Sequence, residues 1–144
     1  MRRTLITGAP RTGKTTMALS LTKAHVPSVF KRDQLRHFCT DPQHLCPAGV
    51  NGTPPELDWS ACSQWVCDKW LSLPGPWVIE GVAVPRALRK WQAAHPNEPP
   101  PCDQLIVLTE PHEALSQRQE AMGIGLLSVL ADLGDWLAPV LVHR

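Results

Sequence analysis

Apolar residues along this chain follow two periods, and the alternation between them outlines a fold. Thr4-Leu5-Ile6-Thr7, Trp77-Val78-Ile79 and Leu105-Ile106-Val107-Leu108 are short, nearly unbroken apolar runs. Runs of that length without polar alternation read as strands buried on both faces of a sheet. Between them apolar residues recur at steps of three and four, the spacing of one helical face. Met17, Leu21 and Ala24 do so after the first run, and Trp59, Cys62, Val66, Trp70 and Leu73 before the second.

Proline and glycine punctuate this pattern. Val29-Phe30, entered after Pro27, reads as a second strand, and residues 39–58 carry Pro, Gly, Asn and Asp without periodicity, as a loop or insertion does. Thr53-Pro54-Pro55-Glu56 matches a capping box with proline in the tolerant first turn of a helix, and Pro74-Gly75-Pro76 stops that helix. The strand at 77–81 ends in an acid and a glycine, and Pro85 to Ala94 is predicted helical. Glu113 to Met122 forms a further helix that Gly123 and Gly125 break, a helix from Leu126 to Trp136 follows, and Val140-Leu141-Val142 is the last strand. Strands alternating with helices pair in parallel through right-handed crossovers. The prediction is one α/β domain over residues 1–144, a three-layer α/β/α unit with about five parallel strands and a lid-like helical region at 112–136. Ligands in such a sheet sit at the carboxyl ends of the strands.

Composition narrows the class. The 144 residues suit one domain, and 43% hydrophobic with 19% charged residues is ordinary globular usage. A formal net charge of +1 gives no electrostatic footprint for bulk nucleic-acid binding, though a local basic groove is compatible with it. No apolar run reaches the roughly 20 residues of a membrane span, and the apolar stretch after Met1-Arg2-Arg3 ends at Gly8, too soon for a signal peptide. A cytoplasmic protein without membrane partners is therefore expected, with its odd five cysteines kept as thiols.

The chemistry concentrates in Gly8-Ala9-Pro10-Arg11-Thr12-Gly13-Lys14-Thr15, which matches G-x-x-x-x-G-K-[ST]. Glycines permit the tight turn and close backbone approach, and successive amides with the positive end of the following helix hold phosphate oxygens. Lys14 reaches the outer phosphates and the Thr15 hydroxyl ligates magnesium. Gly8 through Thr16 thus forms an expected nucleotide-binding segment for ATP with Mg2+. A guanine-reading Asn-Lys-x-Asp motif is absent, and the chain is short for a motor ATPase. A kinase reading is left as the leading one.

Phe30-Lys31-Arg32-Asp33-Gln34-Leu35-Arg36 would follow the second strand and face the γ-phosphate. A carboxylate there accepts a proton from an attacking hydroxyl, and an arginine three residues on holds an acceptor phosphate. With the phosphate loop, Arg32-Asp33-x-x-Arg36 resembles the kinase domain of phage polynucleotide 5′-kinases. Val78-Ile79-Glu80-Gly81 with Pro85 and Arg86 is similar to that family's third strand and next helix, and Leu105 to Arg118 to its fourth strand and the start of its lid. The resemblance implies Lys14, Asp33 and Arg118 as catalytic, Arg36 and Arg86 as substrate contacts, and Glu80 beside Thr15 at the magnesium. One departure stands out: Gln119 to Gly125 lacks the arginine that the family's lid carries.

The acceptor implied is a hydroxyl of nucleic acid or a nucleotide. Phage kinases of hydroxymethyluracil in DNA have similar size and style. Trp59, Trp65, Trp70, Trp77, Trp91 and Trp136 include candidate base-stacking surfaces, Trp65 being the one off the apolar stripe. A kinase of nucleosides or small metabolites is the second reading, and a nucleotide-binding regulatory protein without turnover the third. His37, Cys39, His44, Cys46, Cys62 and Cys67 crowd one region, but their spacing fits no regular zinc pattern.

Overall fold

The computed structural model describes residues 2–24, 35–41, 52–55 and 58–143. Along them run β1 (Arg3–Gly8), α1 (Lys14–Ala24), β2 (Arg36–Cys39), α2 (Trp59–Trp65), β3 (Trp77–Glu80), α3 (Val84–Ala94), β4 (Gln104–Leu108), α4 (Gln117–Leu137) and β5 (Leu141–His143). Helix α2 runs on as a π-helical turn over Val66–Trp70. The five strands form one sheet in the order β2-β3-β1-β4-β5. Every neighbouring pair is parallel, and Ile6 in the central strand faces Glu80 on one side and Ile106 on the other.

Alternation along the strands divides the interior in two. Leu5, Ile79, Leu105 and Val107 join the larger core with Val66, Trp70, Leu88, Trp91, Val129 and Leu133, so the α2 segment, α3 and α4 cover that face. Ile6, Val78, Ile106 and Leu108 point the other way, against Ala18 of α1 with Met17 and Leu21 at its margin. Helices on both faces explain why these strands are almost wholly apolar, and the arrangement is compatible with three α/β/α layers. No described helix is long and apolar enough to cross a membrane.

Three expectations are corrected. The second strand in the sheet is Arg36–Cys39, which pairs with Trp77–Glu80 and runs into the stretch from residue 39 that was expected to be loop, while Val29-Phe30 lies outside the described residues. Arg36 and His37 hide this strand from hydropathy, because their partners are distant. Arg36 Nη2 donates to the Pro74 carbonyl at 2.9 Å, and His37 meets Glu80 across the sheet. The helix over the 59–73 stripe does not begin at the Thr53 capping box. Its cap is Asp58, whose carboxylate accepts the Ala61 N–H at 2.7 Å.

The third correction concerns α4, which Gly123 and Gly125 do not break. A reciprocal Ser116–Gln119 capping box starts it, and Leu126, Val129, Leu133 and Leu137 bury one face along it. The bend comes later, at Gly134, with φ 38°. Gly123 is where the helix touches Ala9, and a Cβ there would lie 2.9 Å from the Ala9 Cβ.

Leu88 is fully buried in the larger core. Leu88→Ala is expected to lower unfolding free energy by about 2–5 kcal/mol, measured by urea denaturation. A loss below about 1 kcal/mol would contradict the assignment of this face as tightly packed.

Candidate functional site

The site grows from the carboxyl ends of three adjacent strands. Strand β1 delivers the chain to Gly8, where the backbone passes so near β4 that a Cβ would overlap the Leu108 carbonyl oxygen and lie 2.8 Å from Thr12 Oγ1. The chain then turns and enters α1 through Gly13, whose φ of 87° favours glycine. The turn is pinned internally: Thr12 Oγ1 donates to the Ala9 carbonyl at 2.8 Å, and Lys14 Nζ donates to the same oxygen at 2.9 Å. The Met17 N–H bonds the Gly13 carbonyl at 2.9 Å, closing the first turn. The amides of Lys14, Thr15 and Thr16 precede it and have no helical acceptor, as at any helix start. They are donors at the positive end of the helix dipole.

From the other side the segment after β4 holds the turn. The His112 N–H donates to the Arg11 carbonyl at 2.7 Å, and the Arg11 guanidinium pairs with Glu113. Arg11 takes a left-handed φ of 63°. The His112 ring lies over Gly13, and a Cβ on Gly13 would come within 2.6 Å of His112 Nε2.

The neighbouring strands contribute acids. Glu80 ends β3 with 1% exposure, and its Oε2 lies 3.3 Å from Nε2 of His37, itself 2% exposed. Asp41 follows β2. Its Oδ1 receives the Val82 N–H and the Thr40 hydroxyl at 3.4 Å each, while Thr53 Oγ1 donates to its carbonyl at 2.7 Å. Gly81 lets the two strand ends meet, because a Cβ there would collide with the Thr40 hydroxyl and sit 2.9 Å from Asp41 Oδ1.

Lys14, Thr15, Asp41 and Glu80 line one cavity of about 480 Å³, closed by Arg11, Trp59, Val82, Gln119 and Met122. Lys14 is only 8% exposed. Burial pulls its ammonium below the ordinary 10.5, opposed by the negative charges of Asp41 and Glu80. Burial likewise pushes the Asp41 carboxyl above its ordinary 3.8, an effect that Lys14 reduces and Glu80 reinforces. Lys14, Asp41 and Glu80 thus share a setting of low exposure, in which electrostatic interactions strengthen. The hydroxyl and carboxylate oxygens are hard donors that suit Mg2+ completed by phosphate and water oxygens.

Of the segment from Gly8 to Thr16, Pro10, Arg11, Gly13, Lys14, Thr15 and Thr16 line this cavity with Glu80, while Gly8, Ala9 and Thr12 build the turn behind it. Arg36 does not. It opens β2 opposite Trp77, at the amino end of the sheet, with its guanidinium 5.7 Å from the Phe38 ring centroid. Asp33 lies outside the described residues, as do Lys31 and Arg32. Arg86 and Arg118 line a second cavity of about 440 Å³ that shares Trp59, Val82 and Met122 with the first. Trp65 is half-buried against the larger core rather than presented to solvent, and its indole N–H has no acceptor among the described residues. Cys39, Cys62, Cys67 and Cys102 are buried thiols, Cys102 pushed up to about 12 by burial. Among the described residues no three His, Cys, Asp or Glu are grouped to hold a metal, and His44 and Cys46 lie outside them.

Asp41, Val82 and Met122 are lining residues that sequence reasoning passed over, and Trp59 figures there only as one of six tryptophans with a candidate stacking surface. Asp41 fell inside the presumed loop, and Trp59 was counted with the buried helix stripe. An acid placed just after a strand and a helix-opening tryptophan were the available signals. No protein-family model matches the chain, and neither a curated protein nor a solved structure matches it.

Lys14→Met tests the electrostatic linkage. Without the ammonium, burial and Glu80 are opposed at Asp41 by the hydrogen bonds from Val82 and Thr40 but no longer by Lys14, so its titration midpoint should move upward. Carboxyl-carbon NMR titration of Asp41 reads this directly, and an unmoved or lowered midpoint would break the linkage.

Proposed function

We propose that this chain is a P-loop kinase, transferring the γ-phosphate of ATP to a hydroxyl of a nucleic-acid or nucleotide acceptor. The observation that carries the reading is Lys14. Its ammonium is buried at a helix start, hydrogen-bonded to the glycine turn beside helix-end amides, and feels the negative charges of Asp41 and Glu80. A polyphosphate fits this arrangement because the cation and amides meet its negative oxygens while the acids remain for metal and proton work.

In this reading Lys14 and the amides of the turn hold and neutralise the outer phosphates. Thr15 and Glu80 would hold Mg2+, which when bound screens charge among the phosphate oxygens. His37 keeps the Glu80 carboxylate oriented. Asp41 accepts the proton of the acceptor hydroxyl. The hydroxyl oxygen bonds to the γ-phosphorus, the bond from that phosphorus to the bridging oxygen breaks, and ADP leaves. Asp41 suits this task because its raised pKa makes it a stronger base than an ordinary aspartate while Lys14 still favours its ionised form. This assigns to Asp41 the role that the resemblance gave Asp33.

A second reading, nucleotide binding without turnover, draws on one observation. Gln119 and Met122 of α4 line the phosphate cavity where the resembled family carries a lid arginine, and Arg11 is engaged by Glu113.

Labelled ATP offered with 5′-hydroxyl DNA, hydroxymethyluracil-containing DNA and free nucleosides decides between them. The kinase reading expects transfer to at least one acceptor, lost about a hundredfold or more in Asp41→Asn and retained in Asp33→Asn. Tight ATP binding with no transfer to any acceptor would leave the regulatory reading. Loss in Asp33→Asn alone would return the base to residue 33.

The pH dependence has a definite sign. A base works deprotonated, and Asp41 holds its proton to a higher pH than the ordinary 3.8. Acidification should therefore abolish transfer at a pH where an unperturbed aspartate would still be ionised. Steady-state kcat against pH reads the midpoint, and a midpoint at or below 3.8 contradicts the assignment.

A further inference from the structure

Arg11 occupies a backbone position that disfavours it. Its φ of 63° lies in the left-handed region, where a side chain meets strain that glycine escapes. The chain nevertheless places one of the longest side chains there, in a turn already supplied with glycine at both ends. Two contacts hold the residue. The His112 N–H donates to its carbonyl at 2.7 Å, and Glu113 pairs with its guanidinium. Both come from the segment between β4 and α4. A strained conformation that the surroundings maintain at a cavity points to a use for the side chain it presents.

The surroundings indicate that use. Arg11 lines the phosphate cavity with Lys14, Thr15 and Thr16, whereas Arg86 and Arg118 line the neighbouring one. Helix α4 sends Gln119 and Met122 to the phosphate cavity, and neither carries charge. Lys14 is buried, with its Nζ bonded to the Ala9 carbonyl. Arg11 is the more open of the two cations: its side chain is 47% exposed and that of Glu113 67%. An ion pair so open to water contributes little, so its guanidinium exchanges one carboxylate for a stronger anion at small cost. The end of a triphosphate carries more charge than a carboxylate and accepts paired guanidinium N–H groups equally well.

We propose that Arg11 is the side chain that meets the transferred phosphoryl group, and that Glu113 holds it in reserve until a γ-phosphate displaces the carboxylate. This rests on the kinase reading above and deepens it. In the transfer step the acceptor oxygen bonds to the γ-phosphorus, its proton passes to Asp41, and the bond from phosphorus to the bridging oxygen breaks. Negative charge gathers on that bridging oxygen as it leaves with ADP. A guanidinium at the γ-phosphoryl group strengthens its contact as the bond breaks, and interactions that strengthen in this way lower the barrier. The engagement of Arg11 by Glu113 is then a resting state of the turn, released by the substrate itself.

Calorimetric titration of the whole chain, in the presence of Mg2+, tests this without requiring turnover. The probes are ADP and the non-hydrolysable β,γ-imido analogue of ATP, which differ by the γ-phosphoryl group. The wild type should bind the analogue more tightly than ADP. Arg11→Gln should cut that preference roughly tenfold or more, the contribution of one charge-assisted hydrogen bond. Arg11→Lys should restore part of it, because the charge returns without the planar fork. Glu113→Gln should act in the opposite direction, raising affinity for the analogue about two- to fivefold, the range of an exposed ion pair. It leaves the Arg11 backbone as it is, so the exchange is tested even where a change at position 11 disturbs the turn.

A preference unchanged by Arg11→Gln overturns the proposal, as does a wild type that binds both probes equally or neither. Equal losses for ADP and the analogue in Arg11→Gln overturn it too, since Arg11 would then serve only the shape of the turn. Weaker binding of the analogue by Glu113→Gln contradicts the reserve role. The kinase reading fails separately, on label transfer: a preference lost in Arg11→Gln without transfer to any acceptor supports the γ-phosphate contact and removes the kinase. Transfer with the preference intact does the reverse. Where turnover is measurable, Arg11→Gln should lower kcat about a thousandfold or more, with KM for the acceptor little changed.

Discussion

Removing an ammonium group from water is unfavourable unless nearby negative charge compensates it, and the geometry around Lys14 is organised by that requirement. The compensation comes from Asp41, just after β2, and Glu80, at the end of β3. Both acids reach the same side of the sheet as the glycine turn because β1, β2 and β3 are parallel and end together. An antiparallel neighbour would have carried its terminal acid to the opposite end. The sheet topology and the charge cluster are therefore one constraint, and the central position of β1 beside β3 is what expresses it.

What could be read from sequence was what local chemistry decides. Strands β1, β3 and β4 are unbroken apolar runs, and the turn between β1 and α1 depends on glycines whose spacing is visible in eight residues. What could not be read depends on distant partners. Arg36 and His37 look like surface residues until Pro74 and Glu80 are brought beside them. The strand found at Arg36–Cys39 puts Arg36 at the far end of the sheet and is followed by Asp41, which the sequence pattern puts inside a loop. Val29-Phe30 and Asp33 lie outside the described residues.

The tryptophans illustrate the same limit. Cys62, Val66 and Trp70 form the stripe expected of a buried helix face, and Trp59 continues it in sequence. The stripe leaves the core at its amino end, however, and its first member forms a cavity wall instead. Periodicity identifies which side of a helix is apolar. It does not say where along the helix the core stops and an opening begins.

The contact between Gly123 and Ala9 has a consequence for how this protein could diversify. At that point α4 rests on the Ala9 methyl of the glycine turn and contributes no side chain of its own, so the bare Gly123 backbone sets their separation. Met122 and Gln119 hang from the same helix over the chamber mouth. Any added carbon at position 123 would act as a shim, tilting the helix outward and widening the entrance without altering a residue that handles charge. Relatives of this chain could therefore adapt to bulkier or slimmer guests through one spacer, leaving the reacting groups in place.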